Sequence, residues 1–310
     1  MDEFEPQLLH INTEFIIAEF AMLYSKFRKI PIIYTFHTHW DVYIANYLPV
    51  IPAFIRRFIV RGILSKILSR SDTVIVPTIE ARKILRQYNI GNKIQILPTG
   101  IDPAPFCYDT SKIKLFRQYM EKKFPVLRGK KLLLFAGRLT QEKNILFILK
   151  LLPCIIKRHS DIMLVISGDG PFALELRRQS KEIKIDKNCL FTGYMPHNEL
   201  IWLYSMAYIF VFPSLTETQG LVTLEAMTAG IPVVAISSMG TKAVMAGGRG
   251  GFLVPNNPKI FTKKVLLLLE NKKIYKIKAK EARRNAENWF IDIMIDRLLA
   301  IYRNTIIKTI

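Results

Sequence analysis

Short, largely apolar runs alternate with longer amphipathic stretches along this chain, a pattern that few folds accommodate. Residues 8–11, 31–36 and 73–77 read as buried strands, and so do 131–136, 162–167, 209–212 and 232–236. Helical patterns lie between them, as at 144–157, 174–182 and 221–229. A strand that is apolar along its whole length is covered on both faces, and such strands separated by helices build a parallel α/β sheet. One sheet of this kind rarely uses all 310 residues. A turn-rich seam, Leu97-Pro98-Thr99-Gly100-Ile101-Asp102-Pro103-Ala104-Pro105, marks a division. The expected organisation is a first domain over 1–107 and a polar, basic linker over 108–130. A second domain over 131–285 and a basic C-terminal helix over 286–310 follow. No internal repeat is evident.

Composition narrows the class. Half the residues are apolar and 23% are charged, which suits a globular chain and not a disordered one. No apolar run approaches the ~18 residues of a membrane-spanning helix, and the acidic opening MDEFEP argues against a secretory leader. Cys107, Cys154 and Cys189 are odd in number and widely spaced, which argues against a disulfide framework and a cysteine zinc site. A reducing, cytosolic setting is the default expectation. Lys and Arg number 45 against 25 acids, a formal charge of +20. An anionic partner follows from that balance, unless it reflects only a lysine-rich proteome: nucleic acid, an acidic lipid surface or a phosphorylated substrate. No nucleic-acid-binding motif is present, so a nucleic-acid partner is not expected.

Open α/β sheets bind ligands beyond the carboxyl ends of their strands. After residues 132–136 come Gly137 and Arg138, then Lys143 just before a helix. A tight turn and two cations beside a helix start suit a diphosphate, although basic residues near helix starts are common. Ser167-Gly168-Asp169-Gly170-Pro171 is either a glycine-built strand-to-helix turn or a ligand contact. Thr192, Gly193, Tyr194 and Met195 follow the next strand and either pack or face a flat ring. In TETQGLVTLEAMTAGIPVVA, Glu217 lies in a polar loop and Glu225 on the helix that opens near Gly220 and Leu221. A carboxylate aimed at the same place as free helix N–H groups suits a polyhydroxyl ligand carrying phosphate. The alternative for Glu225 is a solvated helix charge.

These residues resemble the retaining glycosyltransferases of family 4. Glu217 to Glu225 matches their E-x7-E signature, Gly137-Arg138-Leu139 with Glu142-Lys143 matches GRL…EK, Ser167 to Pro171 contains GDGP, and Pro98 to Asp102 is PTGID. With Tyr34-Thr35-Phe36-His37-Thr38-His39-Trp40-Asp41, the similarity runs from about Phe4 to Pro255. The resemblance implies the α/β GT-B architecture, with two Rossmann-like domains of parallel sheet. It implies that Arg138 and Lys143 hold the donor diphosphate of a nucleotide sugar, and that Glu217 takes the sugar hydroxyls and Glu225 the ribose. Gly220 and Leu221 would offer backbone N–H groups, Thr192 to Met195 would flank the base, and His37 would face the donor sugar. No metal ion or other cofactor is implied, and the His37/His39 pair lacks a third ligand.

IPAFIRRFIVRGILSKILSRSD places Arg56, Arg57, Arg61, Lys66 and Arg70 among apolar residues. On a helix this is either a basic amphipathic segment for an anionic membrane surface or a helix packed on the sheet with solvated arginines. With the HTHWDVYIANY loop and the TETQG spelling, it resembles the branch that makes glucosyldiacylglycerols. That implies hexose transfer, with UDP-glucose the donor, to a membrane lipid such as diacylglycerol at the inner face of the membrane. The family opens with a strand and a Gly-rich turn that have no counterpart before Phe4, so the first domain is expected to be incomplete. Either a longer or split gene product or a separate chain would supply the rest. The alternative function is a truncated, inactive homologue that binds nucleotide or membrane.

Overall fold

A computed structural model describes residues 4–13, 16–36, 51–86 and 93–307, without the side chains of residues 53, 56 and 57. The chain divides into two compact units: one of residues 1–100 and 292–310, the other of residues 101–291.

The first unit holds strands β1 (Leu9–Ile11), β2 (Ile32–Thr35), β3 (Thr73–Val76) and β4 (Ile94–Ile96), paired in that order and all parallel. Helix α1 (Ile16–Arg28) connects β1 to β2, α2 (Ala53–Arg70) precedes β3, and α3 (Ile79–Arg86) follows it. Every residue of β2 is buried, the burial its continuous apolar sequence requires. In α2 the core face is Val60, Leu64, Ile67 and Leu68, at the i, i+4, i+7 and i+8 spacing of a helix stripe. Against β2 and β3 lies part of α12 (Ile291–Ile307): its Met294 joins Ile33, Ile75 and Leu97 in one cluster. His10 Nδ1 lies 2.6 Å from Tyr302 Oη, and its Nε2 lies 2.6 Å from Thr35 Oγ1.

In the second unit, strands β5 (Lys131–Ala136), β6 (Ile162–Ser167), β7 (Cys189–Gly193), β8 (Ala207–Phe212), β9 (Val233–Ile236) and β10 (Gly251–Val254) form one parallel sheet. Their order is β10-β9-β8-β5-β6-β7. The helices are α4 (Thr110–Lys123), α5 (Ile145–Arg158), α6 (Ala173–Glu182), α7 (His197–Met206), α8 (Leu221–Thr228), α9 (Met239–Val244), α10 (Pro258–Glu270) and α11 (Lys272–Glu287). Strands β5 and β6 are apolar almost throughout and lie at the centre of a single large core.

The observed boundaries differ from those expected in two places. Residues 108–130 are not a linker: α4 packs on the second core through Phe116 and Met120, followed by Leu127. The stretch reads as polar chain because Lys112, Lys114, Arg117, Glu121, Lys122 and Lys123 are interleaved with its few apolar residues. The first boundary therefore falls at 100/101. The C-terminal helix begins at Ile291, and from Asp292 onward it is part of the first unit.

Candidate functional site

Strand order in the second sheet reverses at β5, whose neighbours are β6 on one side and β8 on the other. Beyond the carboxyl ends of strands at such a reversal lies the crevice where open parallel sheets take ligands. Arg138 and Lys143 follow β5, and Glu217, Gly220 and Glu225 follow β8.

Two of these residues meet directly. Lys143 Nζ lies 2.7 Å from Glu217 Oε2, and the side chains are 16% and 18% exposed. Both loops are braced for this contact. Leu215 N–H donates to the Glu142 carbonyl at 3.1 Å, and Asn144 Nδ2 donates to the Pro213 carbonyl at 3.3 Å. Asn144 adopts the left-handed conformation (φ 55°), turning the chain sharply from Gln141–Lys143 into α5. Arg138 is exposed and makes no hydrogen bond or ion pair among the described residues.

Glu225 is held from a third element. Tyr204 on α7 donates its hydroxyl to Glu225 Oε2 at 2.8 Å, and His197 Nε2 lies 3.1 Å from Oε1. Tyr204 is fully buried. Burial, then the Glu225 charge, hold its phenol well above the ordinary range, so it remains a donor. The Glu225 side chain is 15% exposed, so it is not a solvated surface charge. Gly220 caps α8 at φ 82°, and the first N–H groups of that helix have no intrahelical acceptor.

Backbone packing accounts for several glycines. A Cβ on Gly168 would lie 1.9 Å from the Gly137 carbonyl oxygen, so the turns after β5 and β6 abut there. A Cβ on Gly240 would lie 2.8 Å from the Glu217 carbonyl oxygen, to which Gly240 N–H donates at 2.7 Å. Thr192 and Gly193 lie within β7 and not beyond it, because the ladder to β6 extends to Ser167–Gly193. Tyr194 is exposed and Met195 buried. Leu221 begins α8 and is exposed.

Of the remaining expected site residues, His37 and the side chains of Arg56 and Arg57 lie outside the described residues. Arg61, Lys66 and Arg70 are exposed on α2, and Lys66 pairs with Glu19 of α1 at 2.5 Å. Among the described residues no cluster of His, Cys, Asp and Glu suits a metal, and no helix is long and apolar enough to cross a membrane. Tyr204, His197, Asn144 and Gly240 were missed by the sequence reading. Tyr204 reads as a core aromatic, and only the fold brings it under Glu225.

Two units of parallel sheet, one with an unpaired cation, an ion pair and an anchored carboxylate at its strand reversal, define the class as doubly wound α/β. Comparison with known proteins narrows this class. Residues 116–289 match the family described as glycosyl transferases group 1, and residues 1–105 match glycosyltransferase family 4. The chain belongs to this glycosyltransferase family. It is 31% identical over 236 residues to an alpha-monoglucosyldiacylglycerol synthase of Streptococcus pneumoniae, covering 75% of this chain and 52% of that protein. It is 28% identical to a sulfoquinovosyl transferase of Arabidopsis thaliana over 92% of this chain and 54% of that one. The chain thus spans about half the length of these two relatives. Anabaena HepE, solved with UDP and glucose, has the same GT-B fold, with a TM-score of 0.81 at 17% identity. That match covers 98% of this chain and 79% of HepE.

Proposed function

We propose that the crevice between β5 and β8 binds a nucleoside-diphosphate hexose and transfers its sugar, with retention at the anomeric carbon, to a hydroxyl of a membrane lipid. The observation that carries this reading is the Lys143–Glu217 contact at 2.7 Å. It supports the reading because Lys143 as the phosphate cation and Glu217 as the sugar carboxylate would then stand side by side, the order in which a sugar and its phosphate occur in such a donor. UDP-glucose is the preferred donor because HepE was solved with UDP and glucose. The lipid acceptor, of which diacylglycerol is the tested case, is suggested by the names of the monoglucosyldiacylglycerol synthases.

In this reading the anomeric carbon–oxygen bond breaks and the diphosphate leaves with the electron pair. The acceptor oxygen bonds to the same face of that carbon, and its proton passes to a diphosphate oxygen. No protein nucleophile is needed. Arg138, Lys143 and the first N–H groups of α8 stabilise the charge that gathers on the leaving group. Glu217 turns from Lys143 to the sugar hydroxyls, and Glu225 takes ribose hydroxyls while Tyr204 holds its other oxygen.

Two outward faces of the first unit support the membrane part. On α1, Ile16, Phe20, Leu23 and Phe27 form a stripe on the side away from Ala18, Ala21 and Met22, and all four are at least 56% exposed. On α2, Phe54, Phe58, Ile59 and Ile63 are exposed alongside Arg61 and Arg70. The inner face of α2 packs through Val60, Leu64, Ile67 and Leu68, and its outer face is apolar and basic. Such a surface suits peripheral attachment to anionic lipid.

The test is glucose transfer from UDP-glucose to diacylglycerol in mixed micelles. Lys143→Ala and Arg138→Ala should each lower kcat by about 10²-fold or more, as loss of one donor to a developing anion does. Variants within a few-fold of the parent protein would overturn the site. UDP binding by calorimetry without any turnover would instead identify the binding-only homologue.

A further inference from the structure

A second feature of the second unit, lined by residues outside the β5/β8 loops, has the form of a ligand site. Helices α5 and α10 leave between them a groove of about 630 Å³, within the range of small-molecule sites. Leu151 and Cys154 of α5 and Leu266 and Leu267 of α10 line it with apolar surface. Lys150, Lys259 and Lys263 line it too, and none of the three has a carboxylate partner among the described residues. The remaining cation, Arg158, is already paired, with Glu270 at 2.8 Å.

The two helices run in the same direction, because Arg158 and Glu270 join their C-terminal ends. Lys150 stands eight residues before Arg158 and Lys263 seven before Glu270, so the unpaired lysines lie level with one another at one part of the groove. Lys259 and Lys263 are also an i,i+4 pair of like charge, which weakens a helix unless an anion lies between them. Cations gathered at one level and hydrocarbon running on from it are the complement of a molecule with an anionic head and one tail.

We propose that the groove between α5 and α10 is a binding site for a single-chain amphiphile with an anionic head group, taken one molecule at a time. The head lies among Lys150, Lys259 and Lys263, and the tail lies on Leu151, Cys154, Leu266 and Leu267. The proposal is independent of the sugar-transfer reading, because none of these residues belongs to the β5/β8 crevice.

Cys154 supplies the measurement. It is exposed and lines the groove, Cys107 is exposed elsewhere, and both are free thiols. Alkylation of each by N-ethylmaleimide is followed by mass spectrometry with monomeric dodecyl phosphate present. At a few times its Kd the probe should slow Cys154 about fivefold and leave Cys107 unchanged. Inorganic phosphate lacks the tail and dodecyl maltoside lacks the charge, so neither should protect. Lys150→Gln/Lys259→Gln/Lys263→Gln should abolish protection. An unchanged Cys154 rate, or equal protection by dodecyl maltoside, would overturn the proposal in the parent protein whether or not the triple variant folds. Protection by phosphatidylglycerol vesicles but not by monomeric dodecyl phosphate would also overturn it, because the groove would then meet a bilayer.

Discussion

Tyr204 shows how a residue with no motif of its own sets the geometry of one that has. Its hydroxyl fixes Glu225 Oε2 and leaves Oε1 facing the exposed His197. Tyr204→Phe should weaken UDP binding about tenfold, the effect of one lost hydrogen bond to a charged group, with little change in kcat. In a Glu225→Ala background the same change should have no further effect. A penalty that persists there would mean that Tyr204 serves the core alone. Gly168 offers a sharper case, because its positive φ of 135° and the Gly137 carbonyl 1.9 Å from any Cβ both exclude a side chain. Gly168→Ala should cost at least about 3 kcal/mol, read from tryptophan fluorescence in urea. A midpoint equal to that of the parent would show that the turns do not abut. The GDGP motif was legible in the sequence, but whether its first glycine served a ligand or a turn was not. The neighbouring carbonyl that decides it comes from another strand.

At the scale of elements, β5 and β6 are joined at their starts as well as along their ladder. Lys131 Nζ lies 3.0 Å from Asp161 Oδ2, and Lys131 N–H donates to the Asp161 carbonyl at 2.9 Å. The hydrogen bond from Lys131 holds the Asp161 carboxyl below the ordinary range. A carboxyl whose pKa falls on folding stabilises the fold above its unfolded value, near pH 4. That contribution is lost as pH falls through the lower folded value. Both side chains are about 40% exposed, so the pair contributes less than about 1 kcal/mol. Asp161→Asn should therefore lower the urea midpoint slightly at pH 7, and the two curves should converge as pH falls through the lowered pKa of Asp161. A gap that survives at low pH would assign the effect to something other than ionisation. Element positions were the most legible level of all, since runs such as 131–136 and 162–167 are strands at the same residues. The short strands β4 and β10 were missed because neither carries an apolar run long enough to stand out.

For the molecule as a whole, the charge is unevenly divided. Residues 101–291 hold 30 of the 45 basic side chains and 15 of the 25 acids, so most of the +20 belongs to the second unit. The membrane reading of the first unit therefore rests on its local pattern and not on net charge. Phe20→Ser/Phe27→Ser should leave the melting temperature unchanged, because neither ring belongs to a core. It should weaken binding to phosphatidylglycerol vesicles about tenfold or more. Added salt should weaken it further. Vesicle binding that ignores both substitutions would show that the α1 stripe does not meet the lipid.

The alternation of strand and helix, the parallel α/β class and the loops that carry Arg138, Lys143, Glu217 and Glu225 can all be read in the amino-acid order. Each of those follows from local periodicity or from a turn residue beside a charged one, information that a short window contains. Which strands are neighbours emerges from the folded chain alone. Because β8 lies beside β5 and not beside β7, Lys143 meets Glu217 from 74 residues away. The same three-dimensional packing put Tyr204 beneath Glu225 and joined the last helix to the first unit. Contacts between distant segments are set by which buried surfaces fit one another, and no local pattern records that.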